Sequence, residues 1–313
     1  MERAGKVIES ASVHQLGFSG AGVGIAFMDT GIFPKHPDIQ NERIIAFQDF
    51  VNGRAACYDD CGHGTHIAGI AGGTGVASNG RFVGVAPACF FIGIKILDNN
   101  GNGNEENVFR AVDWIIKNRM RYHIRIVNIS IGTGKNDNVG ENSPLVSCIN
   151  ELWEHGIIVC VAAGNNGPGP GSVGAPGNSR KIITVGSCDY ESVFSTFGRI
   201  KKDYSGRGPT SECIKKPDLV APGSMIVSCG IPKNYGRNAK WYAIKSGTSM
   251  STPMVSGAIA LLLQKYPEMT NREVKIRLKN RSVDLGLPHE KQGWGRLNLR
   301  QLLSIEDCHS DCE

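Results

Sequence analysis

The 313-residue sequence predicts an α/β protein. The expected architecture is three-layered, a mostly parallel central sheet with helices on both faces. Two observations carry this. Short, largely apolar runs recur along the chain, as in strands buried on both sides. Longer segments with helical spacing of apolar residues lie between or after them, and such alternation implies parallel strands joined by crossover helices. No linker, internal repeat or low-complexity stretch divides the chain. One domain over 1–313 is therefore expected, with a short N-terminal extension (1–10) and a Cys-containing tail (304–313).

The candidate strands are "VGIAFMD" (23–29), "FFIGIKIL" (90–97), "RIVNISIG" (125–132), "GIIVCVAAG" (156–164), "KIITVGS" (181–187) and "MIVSC" (225–229). The candidate helices are 107–120, with Val108, Ala111, Val112, Ile115 and Ile116 on one face, then 143–155 and 253–266. A last helix opens at Thr270, where Glu273 has capping-box spacing. The segment 61–73 is rich in small residues and suits a closely packed helix.

Composition excludes several classes. A net charge of +5 is spread over short basic clusters, and aromatics are 7%, which argues against a nucleic-acid partner. No segment approaches eighteen apolar residues, so no membrane partner is expected. "MERAGKVIES" has no apolar leader core, which points to the cytoplasm and to ten reduced cysteines. A mature secreted form is the alternative. The oligomeric state is left open.

Asp29-Thr30-Gly31 closes the first strand. It reads as a turn, or as one half of an aspartic protease pair. The second reading requires a second such motif in an all-β chain, and here there is one motif in an α/β chain. A third reading follows from position. In open α/β sheets ligands bind outside the carboxyl ends of the strands, where Asp29 can offer an acid to a histidine. His63 opens the small-residue segment, and Ser249 follows a Gly-Thr turn at the start of an apolar helix. Pro253 is expected in that helix's first turn, where N–H groups lack intrahelical partners. A serine hydroxyl needs a base to become nucleophilic, and the base needs an acid to fix its tautomer. Asp29, His63 and Ser249 supply these three types. A helix N-terminus under Ser249 favours an oxyanion, and Asn165, after a buried strand, can donate to the same charge.

The motifs "GVGIAFMDTGI", "GHGTHIAGI", "GVAP", "IVNISIG", "VAAGNNGP", "VGAPGNSRKIITVGS", "DLVAPG" and "SGTSMSTPMVSG" follow one another over roughly residues 11 to 300. In this order they resemble the subtilisin-like serine peptidases, the subtilases. The resemblance implies a serine endopeptidase acting on peptides or proteins through an acyl-enzyme. Asp29 would orient the base, His63 would be the general acid/base, Ser249 the nucleophile and Asn165 the oxyanion donor. It further implies that Gly101, Gly103, Ser130 and Gly132 pair with an extended substrate. Ala163, Gly164 and Gly174 would wall the pocket for the side chain before the scissile bond, with a preference for large apolar groups.

His63 and His66 lack the intervening Glu of a zinc helix, so no metal is expected there. An α/β-hydrolase would use Ser249, Asp284 and His289 in that order. A catalytically silent binding or regulatory module is the non-enzyme alternative. No cofactor is implied for the chemistry. Asp38 matches a calcium ligand of many subtilases, but the partner loop (72–87) differs from the usual one. Cys57 and Cys61 could hold zinc with Cys308 and Cys312 if the tail folded back, and free thiols are the favoured reading.

Overall fold

The computed structural model of the chain describes residues 1–132, 139–189, 193–196, 199–234, 236 and 239–305. Its strands are β1 (Gly24–Asp29), β2 (Ile44–Asp49), β3 (Phe90–Lys95), β4 (Ile124–Ile129), β5 (Ile158–Ala162), β6 (Ile183–Ser187), β7 (Val193–Thr196), β8 (Arg199–Lys202), β9 (Leu219–Ala221), β10 (Ile226–Cys229) and β11 (Tyr242–Lys245). Seven of them form one parallel sheet in the order β2-β3-β1-β4-β5-β6-β9. β7–β8 and β10–β11 are separate antiparallel ribbons.

Every residue of β1, β5 and β6 is buried, so both faces of the central strands are covered. The helices are α1 (Glu2–Ile8), α2 (Ser10–Gln15), α3 (His63–Gly72), α4 (Glu105–Asn118), α5 (Pro144–Glu154), α6 (Thr248–Lys265), α7 (Asn271–Arg281), α8 (His289–Gln292) and α9 (Leu299–Leu303). α6 is buried from Met250 to Leu263 and packs on α3 and on β4, β5 and β6. A helix apolar on every side can be stable in water only as such a central element. α4 packs on α5, which lies against β5. α7 opens with the expected capping box at Thr270 and Glu273. Among the described residues no helix is long and apolar enough to cross a membrane.

The three-layer α/β reading agrees with this architecture, with local corrections. The run at 225–229 is not a strand of the parallel sheet; as β10 it pairs antiparallel with β11. A short buried apolar run looks the same in either setting, and only the position of its partner decides. β2, an edge strand with half-buried residues, and the three-residue β9 were not anticipated. Residues 1–10 are more than an extension, because Met1, Ala4 and Ile8 enter the common core.

β1 is flanked by β3 and β4, so the strand order reverses beside it. A crevice therefore opens at its carboxyl end. Asp29 is the last residue of β1, level with Lys95 of β3.

Candidate active site

Asp29 is fully buried, and its Oδ1 accepts the Thr30 N–H at 2.8 Å. Both carboxylate oxygens face His63 Nδ1, at 2.8 and 2.9 Å. A carboxylate only accepts, so Nδ1 carries a proton, and in the neutral imidazole the lone pair is on Nε2. The His63 side chain is 23% exposed, so this imidazole is open to the cleft.

His63 is the first residue of α3, and its position is set by a seam of close backbone contacts. A Cβ on Gly64 would stand 2.1 Å from the Gly31 carbonyl oxygen, and one on Gly31 would stand 2.1 Å from the Tyr58 oxygen. Only glycine lets the helix start sit this close to the strand end. Asp59, which sequence reasoning missed, organises the seam. Its buried carboxylate accepts the N–H groups of Cys61, Gly62 and Thr65 and the hydroxyls of Thr30 and Thr65. Thr30 Oγ1 in turn accepts the Gly64 N–H at 2.9 Å. The first turn of α3 is thus capped from three residues before its N-cap, Gly62. Lys95, also missed, is buried below: its Nζ donates to the Thr30 and Leu97 carbonyls and pairs with Asp60 at 2.7 Å.

Ser249 is the second residue of α6. Its N–H is one of the first-turn donors without an intrahelical acceptor. Its hydroxyl donates to the Ser130 carbonyl at 2.7 Å, and Ser130 Oγ donates back to the Ser249 carbonyl at 3.0 Å. The second of these bonds has its reason in Pro253. It stands in the second turn, not the first, and its ring nitrogen cannot bond the carbonyl four residues back, which is that of Ser249. Ser130 fills the vacancy. Asn128 Nδ2 steadies Ser130 Oγ at 2.8 Å, and Ser256 Oγ donates to Asn128 Oδ1 at 2.9 Å. His63 and Ser249 are not joined by a hydrogen bond in this arrangement.

Asn165 Oδ1 accepts the Thr248 N–H at 3.0 Å and the Thr248 hydroxyl at 3.2 Å. This fixes the amide orientation one residue before Ser249 and places Nδ2 beside Gly247, where a Cβ would be 3.2 Å away. Gly247 has φ +146, a conformation that only glycine adopts without strain.

Of the expected substrate-binding residues, Gly101, Gly103 and Gly132 line a cavity of about 650 Å³ with an apolar floor that includes Met28, Leu97 and Ile131. Asp98 Oδ1 holds the Asn100 and Asn102 N–H groups, shaping the loop that carries Gly101. Ser130 lies beside Ser249, as described. Ala163 is fully buried and offers only backbone. Its carbonyl accepts the Gly174 N–H at 3.2 Å, and that of Gly164 accepts the Gly206 N–H at 2.8 Å.

The competing constellations do not assemble at Ser249. Asp284 binds the Gly286 N–H and Gln292 Nε2, His289 opens α8, and neither bonds Ser249. His66 is fully buried and donates from Nε2 to the Ile226 and Ala243 carbonyls. Asp38 does not fit calcium. Its Oδ1 accepts the Ala77 N–H and its Oδ2 the Tyr242 hydroxyl, and its neighbours are His36 and Cys229, whereas calcium takes six to eight oxygens. Cys57 and Cys61 are free thiols, and burial holds both above their ordinary pKa. Cys308 and Cys312 lie outside the described residues.

Burial, with a smaller contribution from the Lys245 charge, pushes His66 down to about 3. Unfolded, it protonates near 6.5, so between those values the unfolded chain binds the extra proton. Stability therefore rises with pH across this window and is lost as pH falls from 6.5 towards 3, by about 5 kcal/mol for this one group. His66→Asn, whose amide can still donate to a carbonyl, should flatten that part of the profile. Urea unfolding at pH 7 and pH 4 measures it; an equal loss in both proteins would assign the acid sensitivity elsewhere.

A model of the Subtilase family (Peptidase_S8) matches residues 20–295. The serine protease AprX of Bacillus subtilis (strain 168) is 41% identical over 274 residues, covering 84% of this chain and 61% of that protein. Subtilisin Savinase of Lederbergia lenta is 31% identical over 281 residues, covering 89% and 90% respectively. Two solved structures are similar in fold, each at 29% identity. Sphericase has a TM-score of 0.73, with 90% of this chain and 92% of that chain covered. A cold-adapted subtilisin-like serine proteinase has a TM-score of 0.70, with 90% of both covered. The matched region thus spans about three fifths of AprX and nearly the whole of Savinase.

Proposed function

The chain belongs to the subtilase family of serine peptidases, and from that premise we propose that it is a serine endopeptidase worked by Asp29, His63, Ser249 and Asn165. The observation that carries the assignment is the pair of short bonds from the Asp29 carboxylate to His63 Nδ1. They hold the imidazole in the tautomer a general base requires.

The Ser249 hydroxyl leaves the Ser130 carbonyl and gives its proton to His63 Nε2 as Oγ attacks the peptide carbonyl carbon. The carbonyl oxygen takes up the electron pair and is stabilised by Asn165 Nδ2 and the Ser249 N–H. As the tetrahedral centre collapses, the C–N bond breaks. His63 returns its proton to the departing amine, leaving an ester on Ser249. Water, deprotonated by His63, then cleaves the ester by the same steps in reverse. Asp29 stays ionised and stabilises the imidazolium. No cofactor is needed for this chemistry.

The apolar residues lining the cavity beside Gly101, Gly103 and Gly132, among them Met28, Leu97 and Ile131, support a preference for large apolar side chains before the scissile bond. Free cysteines among the described residues support a reducing, cytoplasmic setting, and one core running from Met1 to Leu303 supports a single domain. The test is a fluorophosphonate probe followed by peptide mapping. Adduct on Ser249 with turnover of a casein substrate is the expected result; no adduct and no turnover would favour the silent binding module.

A further inference from the structure

From Leu219 through Pro267 the sequence contains no Asp or Glu. This stretch includes β10, β11 and the loop between them, and the whole of α6, which carries Ser249 in its first turn. Lys233, Lys240 and Lys245 lie in it, and the side-chain ammonium of none of the three makes an ion pair or hydrogen bond among the described residues. A basic arm without internal acids leaves its charge available to a ligand.

Lys245 is placed to use that charge. It is the last residue of β11, four before Ser249, and it pairs across the ribbon with Ile226. The ribbon packs on α3, where His66 donates to the Ile226 and Ala243 carbonyls. Ile231, just beyond β10, lies 3.6 Å from where a Cβ on Gly62 would stand, immediately before His63. The Lys245 charge is felt at Cys61 and at His66. The lysine therefore stands between the starts of α3 and α6, on the β10–β11 side of His63. The cavity beside Gly101, Gly103 and Gly132 lies on the other side, over the ends of β1, β3 and β4.

A peptide crossing Ser249 with its acyl part in that cavity must send its leaving part over the β10–β11 ribbon. We propose that Lys245 is a specificity-determining residue, selecting substrates with an aspartate or glutamate at the first or second position after the scissile bond. The inference rests on the peptidase reading above. At a solvent-accessible spacing of about 4 Å, one such pair changes kcat/KM by about fivefold, and salt should screen it.

The test uses quenched fluorescent peptides that are identical before the scissile bond and carry Glu, Gln or Lys at each of the two positions after it. The wild-type protein should prefer Glu to Lys by roughly twenty-fold, about fivefold on each side of Gln, with the ratio shrinking in 0.5 M NaCl. Lys245→Met should bring the ratio close to one, and Lys245→Glu should invert it. The ratio is read within each protein, so a general loss of stability cannot imitate the result. A wild-type ratio near one, or a ratio unchanged in Lys245→Met, overturns the inference and leaves the peptidase reading intact. Hydrolysis of none of the peptides by the wild-type protein would sink that reading instead.

Discussion

Replacing Ser249 with alanine should abolish peptide hydrolysis and leave the fold in place. The substitution removes the nucleophilic oxygen and one hydrogen bond, to the Ser130 carbonyl. The bond in the other direction, from Ser130 Oγ to the Ser249 carbonyl, uses only backbone of residue 249 and survives. The expected loss in kcat is that known from subtilisin itself, roughly a million-fold, carried over from that enzyme. His63→Ala should be about as severe, because the two groups act as a unit and either deletion stops the proton transfer. His289→Ala should be nearly silent. Steady-state kinetics with a thermal melt on each variant decides; inactivation by His289→Ala with His63→Ala active would restore the α/β-hydrolase reading.

Asn165→Leu should lower kcat by roughly a hundred- to a thousand-fold with little change in KM, the range known for the corresponding oxyanion donor of subtilisin. The leucine matches the amide in shape but has no N–H to offer. The amide's bond to the oxyanion forms fully only in the transition state, so ground-state binding hardly registers its loss. The substitution also removes the acceptor of the Thr248 N–H and hydroxyl. A fall in melting temperature is therefore expected beside the kinetic effect, and Asn165→Asp, which keeps the acceptor, separates the two. A large rise in KM at normal kcat would instead place Asn165 in substrate binding.

The residues proposed to do chemistry were easier to read from the sequence than those that position them. Asp29, His63 and Ser249 each stand at the junction of a patterned segment and a turn, which a single sequence displays. Asp59 and Lys95 do not advertise themselves in this way. One is an acid in a loop and the other ends an apolar strand, and both act through contacts with Thr30. The central strands were legible because burial on both faces leaves long apolar runs. β2 at the edge and the short β9 lack that signal. Pro253 misled in an instructive manner. The pattern around it suggests the first turn of a helix, where a proline is harmless, whereas α6 begins five residues earlier, at Thr248.

The pairing of Ser249 with Ser130 has a consequence for the timing of the proposed catalysis. The Ser249 proton rests on the carbonyl of Ser130, in the segment proposed to pair with an extended substrate. A peptide strand aligning there brings an N–H that competes for the same oxygen. Substrate docking then evicts the serine proton from its resting acceptor and leaves His63 Nε2 as its next partner. Arming the nucleophile becomes part of recognition, and an empty cleft keeps it disarmed. A phosphonate carrying a peptide should therefore label Ser249 with a higher saturating rate constant than one without, in addition to binding more tightly. Equal saturating rates would mean that the serine is armed before any substrate arrives.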